Sequence, residues 1–339
     1  MPEVSVIIAT YNRAQSLWQT LTSLMVQKGM DCSYEILVVD NHSMDDTRAV
    51  AESFQKKNPQ LIRYVFEPRQ GVAYARNAGV ANAQGRILAF VDDDVVVSDH
   101  WLRALWKCFQ ETGACAVGGK IERKWDCEPP AWYSEEVGGC LIHQDFGSSR
   151  RRWNSESQHM VTANLAFRRD AFEKFGVFRE ELGRRGEELV GGEDREFYQR
   201  LVKAGALVMY EPEALVWHRV EAARLTKEYL RNWFWNVGRT LGHEIQGRWY
   251  HAFFIAPVWV WKEWLRSLLR WAKARISSCD QIAERFASEI WLRHYGGILR
   301  ERFVHGLPGV FGRKACAFTE RKETAEPNSP GAWRIQNVR

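Results

Sequence analysis

The first hundred residues alternate between short unbroken apolar runs and longer segments in which apolar residues return every three or four positions. Val4-Ser5-Val6-Ile7-Ile8-Ala9, Glu35-Ile36-Leu37-Val38-Val39, Ile62-Arg63-Tyr64-Val65 and Ile87-Leu88-Ala89-Phe90-Val91 are of the first kind. Such runs are the pattern of strands buried on both faces. Leu17, Leu21, Leu24 and Met25 recur at helical spacing, through about residue 27. Asp45-Asp46 opens a second helix, and Val72 to Ala83 forms a third, rich in small residues. Carboxylates at a helix start complement its dipole. Strands alternating with helices define an α/β domain with an open parallel sheet, whose ligand sits beyond the C-terminal ends of the strands.

The polar groups at those ends narrow the chemistry. The first run stops at Thr10-Tyr11-Asn12-Arg13, the second at Asp40 and the fourth at Asp92-Asp93-Asp94. Three adjacent carboxylates repel one another unless a cation neutralises them; the bland alternative is a solvated acidic turn. Successive side chains of a strand point to opposite faces, so Asp92 and Asp94 are expected to share a cleft while Asp93 points away. Hard oxygen ligands suit Mg2+ or Mn2+, which take substrate phosphates as further ligands, and this predicts a metal and diphosphate site. No GxGxxG follows the first strand and no GxxxxGK[ST] occurs, which disfavours hydride transfer and a P-loop. Thr10, Tyr11, Asn12, Asp40 and the acidic triplet are therefore expected to form a nucleotide site. Asp40 can accept from a base N–H or a ribose hydroxyl, or simply cap the turn that follows.

In order and spacing, Val4 to Asn12, Val38 to Asn41, Gly71 to Gly79 and Ile87 to Asp94 resemble the family 2 glycosyltransferases of the GT-A fold. The resemblance continues through Thr162 to Arg169, Phe175 to Phe178, Gly191 to Phe197 and Pro212 to His218, and so covers about residues 1 to 220. It implies a GT-A nucleotide-diphospho-sugar transferase fold: a Rossmann-like, mostly parallel sheet with helices on both faces. A nucleotide-binding half would occupy residues 1–97 and an acceptor half 98–220. By position, Thr10, Tyr11, Asn12 and Asp40 would hold the nucleotide, with Arg76, Asn77, Asp92 and Asp93 also on the donor side. Asp94 and His218 would bind the metal, Asp194 would be the general base, and Asn164 and Glu193 would hold acceptor or donor sugar. The sequence departs from the family at Asn41-His42-Ser43-Met44, where Gly and Thr are common, which bears on the local turn.

The implied activity is inverting, metal-dependent transfer of a sugar from a nucleotide diphosphate donor, UDP- or dTDP-linked. The acceptor would be a hydroxyl of a glycan or lipid-linked molecule in cell-surface polysaccharide or glycoconjugate synthesis. Glu193 and Asp194 are neighbours and at a helix start would diverge by about 100°, so only one can aim at the acceptor. Like charges so close raise one pKa, a way to supply a base with useful proton affinity. Two rivals are a sugar-nucleotide nucleotidyltransferase and a non-catalytic glycan-binding protein of the same fold. The first should carry a Gly-rich loop after the first strand, where this chain has none; the presence of both Asp94 and Asp194 speaks against the second.

Residues 125 to 160 have weak periodicity and many turn formers. They read as a mobile loop over the cleft, with Trp132 and Tyr133 available to stack on sugars and Arg150-Arg151-Arg152 available to a phosphate or to solvent. Ala214 to Trp217 reads as a short strand leading to His218.

Beyond Val220 the pattern is helical: Leu225 to about Leu241, Trp249 to Arg275, and about Asp280 to Val304. This helical extension, residues 221–317, is basic and Trp-rich. From Glu221 onward the chain carries 20 Lys/Arg against 11 Asp/Glu and nine of its 16 Trp; with a total net charge of +5, the front is acidic. Trp261, Trp264, Leu265, Leu268 and Trp271 share one face of the middle helix, and Lys262, Arg266, Arg270 and Lys273 another. A basic amphipathic helix with Trp at its boundary suits an anionic membrane surface, so peripheral membrane contact through 249–275 is expected. Packing over the sheet or a dimer contact is the alternative. No apolar run reaches the ~18 residues needed to span a bilayer. The seven scattered Cys lack metal-site spacing, and Met1-Pro2-Glu3-Val4 enters a strand without a signal peptide. The expected location is therefore the cytoplasm, at the inner face of the cell membrane, with no nucleic-acid partner. Residues 318–339 read as a disordered tail.

Overall fold

The computed structural model describes residues 1–155, 158–184, 191–245, 256–276 and 281–306. The expected tail at 318–339 and the segment 249–255 lie outside them. The chain divides into two compact units, Met1–Glu128 with Leu141–Ala222, and Pro129–Cys140 with the chain from Ala223 onward.

The first unit opens β1 (Val4–Thr10), α1 (Ala14–Leu24), β2 (Tyr34–Asp40), α2 (Thr47–Lys57), β3 (Ile62–Phe66), α3 (Val72–Asn82) and β4 (Ile87–Asp92). It continues β5 (Val95–Val97), α4 (Trp101–Thr112), β6 (Ala116–Trp125), β7 (Arg151–Arg152), β8 (Asn164–Arg168), α5 (Arg169–Phe175), α6 (Glu193–Lys203) and β9 (Val208–Val220). The four apolar runs are β1 to β4. Among the described residues the strands form one sheet in the order β3-β2-β1-β4-β8-β6-β9-β5, with β7 beside β9. β1, β2, β3 and β4 are mutually parallel, and β8 turns antiparallel against β4.

Strand alternation sends the apolar residues to two separate cores. Val4, Val6, Ile8, Ile36, Val38, Ala89 and Val91 join Leu17, Leu21, Trp101 and Leu105 on one face. Ile7, Leu37, Val39, Leu88 and Phe90 join Ala73, Phe172 and Phe197 on the other. That is why β1, β2 and β4 read as unbroken apolar runs. The second core holds an aromatic knot in which Phe172 stacks on Phe197 with ring centroids 4.8 Å apart. Losing such a ring to alanine costs about 3–5 kcal/mol.

Two departures from simple alternation shape the site. β4 stops at Asp92, and Asp93 and Asp94 form a turn before β5 pairs antiparallel with the end of β9. Farther along, β6 and β9 run parallel until the register jumps, from Gly119 opposite Glu211 to Ile121 opposite Val216. The bulge in β9 brings the Ala214 carbonyl to within 2.0 Å of where a Cβ on Gly119 would lie. Only glycine admits that approach.

The second unit contains α7 (Lys227–Glu244), α8 (Val258–Ile276), α9 (Ile282–Gly306) and a 3-10 turn at Glu135–Cys140. Thr226 caps α7, its hydroxyl accepting from Tyr229 N–H at 3.1 Å. Trp132 meets the Phe286 ring edge-on at 4.8 Å, and Arg270 grips both oxygens of Glu136 at 2.5 and 2.8 Å. The stretch read as one loop over the cleft is thus divided: Pro129–Cys140 packs with these helices. Arg150 donates to Glu111 and Glu211 of the first unit, and Phe146 stacks on Trp153 at 3.9 Å.

Candidate functional site

Parallel register sets Thr10 beside Asp40 and Ala9 beside Asp92, so the C-terminal ends of β1, β2 and β4 form one ledge. At its outer end the turns after β1 and β2 are laced together. Ser43 Oγ accepts from Asn12 N–H at 2.9 Å, and Asn12 Oδ1 accepts from Met44 N–H at 2.7 Å. Asn12 and His42 both hold positive φ, 51° and 68°. The departure at Asn41 to Met44 therefore falls on a left-handed residue, where Gly is the usual occupant. Asp40 is buried, with Oδ1 accepting from Ser43 N–H and Oδ2 from the Tyr64 hydroxyl, both at 2.8 Å. Tyr11 is half-buried on the same ledge.

The acidic triplet closes into a cluster with β9. Ligand atoms of Asp92, Asp94 and His218 all lie within 4.8 Å of one another. His218 faces Val95 in the β5–β9 ladder, and its Nε2 is 3.3 Å from Asp94 Oδ1. Asp92 and Asp94 do share a side, by way of the turn at Asp93-Asp94 rather than by strand alternation. Burial pushes Asp93 up to about 7, against the pull of Arg13, with Asp94 and Asp92 adding to the rise. A cation would reverse that cost. Two carboxylates and an imidazole fit Mn2+ or Mg2+. His218 Nδ1 is buried with no hydrogen-bond partner among the described residues. Arg13, not singled out from the sequence beyond its turn, leans on the same cluster. Its Nη1 is 3.1 Å from Asp94 and 3.6 Å from Glu221.

The register jump places His218. Buried Asn164 bridges both sides of the bulge, donating to the Lys120 carbonyl at 2.9 Å and the Ala214 carbonyl at 2.7 Å. Its Oδ1 accepts from Trp101 Nε1–H at 2.8 Å. The amide is thus engaged inside the sheet. Asn77 is likewise engaged, clamping Phe178 through its backbone N–H at 3.0 Å and carbonyl at 2.9 Å.

Across the ledge stands the N-terminus of α6. Gly192 precedes it with φ 116°, and Glu193, Asp194 and Glu196 crowd the first turn, where the helix dipole favours negative charge. Buried Arg76, on α3, ties the two acidic groups together: its Nη1 donates to Glu193, and its Nη2 is 3.2 Å from Asp92 Oδ1. Burial raises the Glu193 pKa, and Arg76 only partly offsets it. Asp194 behaves oppositely. Burial opposes its ionisation, yet His159, Arg76 and the Thr162 N–H hold it below the ordinary carboxylate value. The expected rise in one member of the pair thus falls on Glu193. Asp194 Oδ2 accepts from Thr162 N–H and hydroxyl, both at 3.3 Å. His159 is a further residue that sequence reasoning missed; burial lowers its pKa below 6.5 despite Asp194.

A parallel sheet with a carboxylate and imidazole cluster at its strand ends, and no glycine-rich phosphate loop, is suited to a nucleotide diphosphate held through a cation. A sequence model of the Glycosyl transferase family 2 matches residues 5–176, and the chain belongs to that family. It is 31% identical over 242 residues to the succinoglycan biosynthesis protein ExoM of Rhizobium meliloti, covering 70% of this chain and 74% of that protein. It is 30% identical over 242 residues to the glycosyltransferase AglE of Haloferax volcanii, covering 70% and 73%. In structure it is similar to the mannosyltransferase PcManGT from Pyrobaculum calidifontis in complex with GDP-Man and Mn2+. The TM-score is 0.52 at 18% identity, covering 90% of this chain and 76% of that one. The fold is that of GT-A glycosyltransferases. The chain is a glycosyltransferase, and the nucleotidyltransferase alternative is set aside.

Proposed function

We propose that the protein transfers a sugar, with inversion at the anomeric carbon, from a nucleotide diphosphate donor to a hydroxyl of a glycan or lipid-linked acceptor. The product would belong to a cell-surface polysaccharide or glycoconjugate, as the name of the ExoM relative suggests. The observation that carries the reading is Arg76. One guanidinium joins Asp92 of the candidate cation cluster to Glu193 at the start of α6, so departure and attack belong to one cleft.

Asp40 keeps a lone pair on each oxygen for a base or ribose, supported by the Thr10-Tyr11-Asn12 turn, and the donor would be UDP- or dTDP-linked. A divalent cation, Mn2+ or Mg2+, held by Asp94 and His218 with Asp92 beside them, would stabilise charge on the departing diphosphate. Arg76 holds Glu193 and Asp92 in place. Thr162 fixes Asp194 through Oδ2, while among the described residues Oδ1 accepts only from Arg195 N–H at 2.7 Å and keeps a lone pair for the acceptor proton. A single carboxylate taking that proton as the hydroxyl attacks from the opposite face gives inversion. The work would be done in the cytoplasm at the inner membrane face, with α8 in contact with the surface.

The test is Asp194→Asn. Transfer should fall by about 10²–10⁴-fold while donor affinity stays within a factor of a few. Equal loss of donor binding, measured by calorimetry with the nucleotide sugar, would contradict the assignment. Asp94→Ala should weaken donor binding only when Mn2+ is present.

A further inference from the structure

Among the described residues no helix is long and apolar enough to cross a membrane. α8 nevertheless presents an unusual outer face. Its buried positions are Val260, Ser267 and Ala274, spaced seven apart on one side of the helix. The tryptophans expected at a membrane boundary turn inward. Trp259, Trp261 and Trp264 pack around Leu241, Val260, Ile298 and Leu299 of the helical unit, and Trp261 meets Trp264 edge-on at 6.3 Å.

The side opposite the buried positions is not the polar face that water selects. Val258, Leu265, Leu269 and Ile276 recur there over about five turns, and they are 52%, 50%, 62% and 88% exposed. Lys262, Arg266 and Lys273 run alongside them, all exposed. Arg270 leaves this row for Glu136, and Glu263 pairs with Arg266 at 2.5 Å, making it the one carboxylate on the helix. Single exposed aliphatics are ordinary, but four in line flanked by cations are not.

We propose that this stripe of α8, rather than its tryptophan face, is the surface that lies in the headgroup layer of an anionic phospholipid bilayer. The inference rests on the membrane reading above and names its contact face and lipid chemistry. Leu265 and Leu269 enter the acyl boundary while Lys262, Arg266 and Lys273 meet lipid phosphates, the division of labour of an interfacial helix. Charge argues against a second copy of the chain as occupant, because two such faces would bring like cations together. An anionic surface is complementary to both features.

Flotation of the full chain with phosphatidylcholine vesicles, with and without phosphatidylglycerol, tests this. The protein should float with the anionic vesicles and lose them as salt rises. Leu265→Ser with Leu269→Ser should weaken partition by roughly 10-fold per leucine. Reversal of Lys262, Arg266 and Lys273 to Glu should weaken it by on the order of 10²-fold. Donor hydrolysis and the melting temperature should not move, since these side chains are exposed. If the parent chain floats with neither vesicle, the membrane reading itself fails. If it floats and the variants float equally well, this face is wrong and the membrane reading stands. Sedimentation showing a dimer that the leucine pair dissolves would identify the face as a contact between copies and overturn the proposal.

Discussion

Asp194, the base proposed above, lies within electrostatic reach of buried His159. His159 is neutral near pH 7, because burial keeps its pKa below 6.5, and Asp194 is ionised because its pKa lies below the ordinary carboxylate range. A charge on His159 attracts the carboxylate and is the largest influence holding the Asp194 pKa down against burial. Asp194 must be ionised to accept a proton, so His159→Gln, which removes that influence, should move the acid limb of kcat/KM to higher pH, read from a full pH profile with saturating Mn2+. A limb that stays in place would assign the decline to another group. Asp194 was legible because it sits in an ordered motif. His159 was not: it lies in a stretch of weak periodicity, and its partner is 35 positions away in sequence.

At the scale of elements, what could be read was what burial on two faces imposes. β1, β2 and β4 are continuous apolar runs because both sides of the sheet are covered. β5 has three residues and β7 two, too few for any period to show. β9 extends over 13 residues, well beyond the short segment at Ala214 to Trp217, because its burial is interrupted at Pro212-Glu213 by the bulge. That bulge sets which residue of β9 faces Val95. Asn164 pins it from both sides, which gives this buried amide a positioning role. Asn164→Ala leaves the Lys120 and Ala214 carbonyls and the Trp101 indole N–H without their partner, about 1–3 kcal/mol for each unsatisfied group. Trp101→Phe removes one of those bonds and keeps the two that hold the bulge. The expected result is a Mn2+ affinity lowered by roughly 10-fold in Asn164→Ala, as for loss of an outer ligand support, and unchanged in Trp101→Phe. Titration of free Mn2+ by electron paramagnetic resonance separates the two. Equal affinities in both variants would reduce Asn164 to packing alone.

At the scale of the molecule, the charge and tryptophan skew pointed to a division near residue 220, whereas the two compact units divide the chain so that the second also takes in Pro129–Cys140. Composition had no means of revealing that Pro129–Cys140 leaves the first unit for the second, because the packing that draws it there joins side chains more than a hundred positions apart. Trp132 against Phe286 is an aromatic pair worth about 0.5–1.5 kcal/mol. Arg270 on Glu136 is a bidentate pair between partly exposed groups, worth about 0.2–1 kcal/mol. A chain ending at Ala222 lacks both partners. Proteolysis of a segment that opens and closes quickly tracks the open population, and removal of about 1.4 kcal/mol raises that population roughly tenfold. Chymotrypsin should therefore cut after Trp132 and Tyr133 roughly tenfold faster in the truncated chain than in the full one, followed by intact mass. If the two chains are cut there at the same rate, the order of 129–140 comes from its own turn at Glu135–Cys140 and not from the helices it packs against.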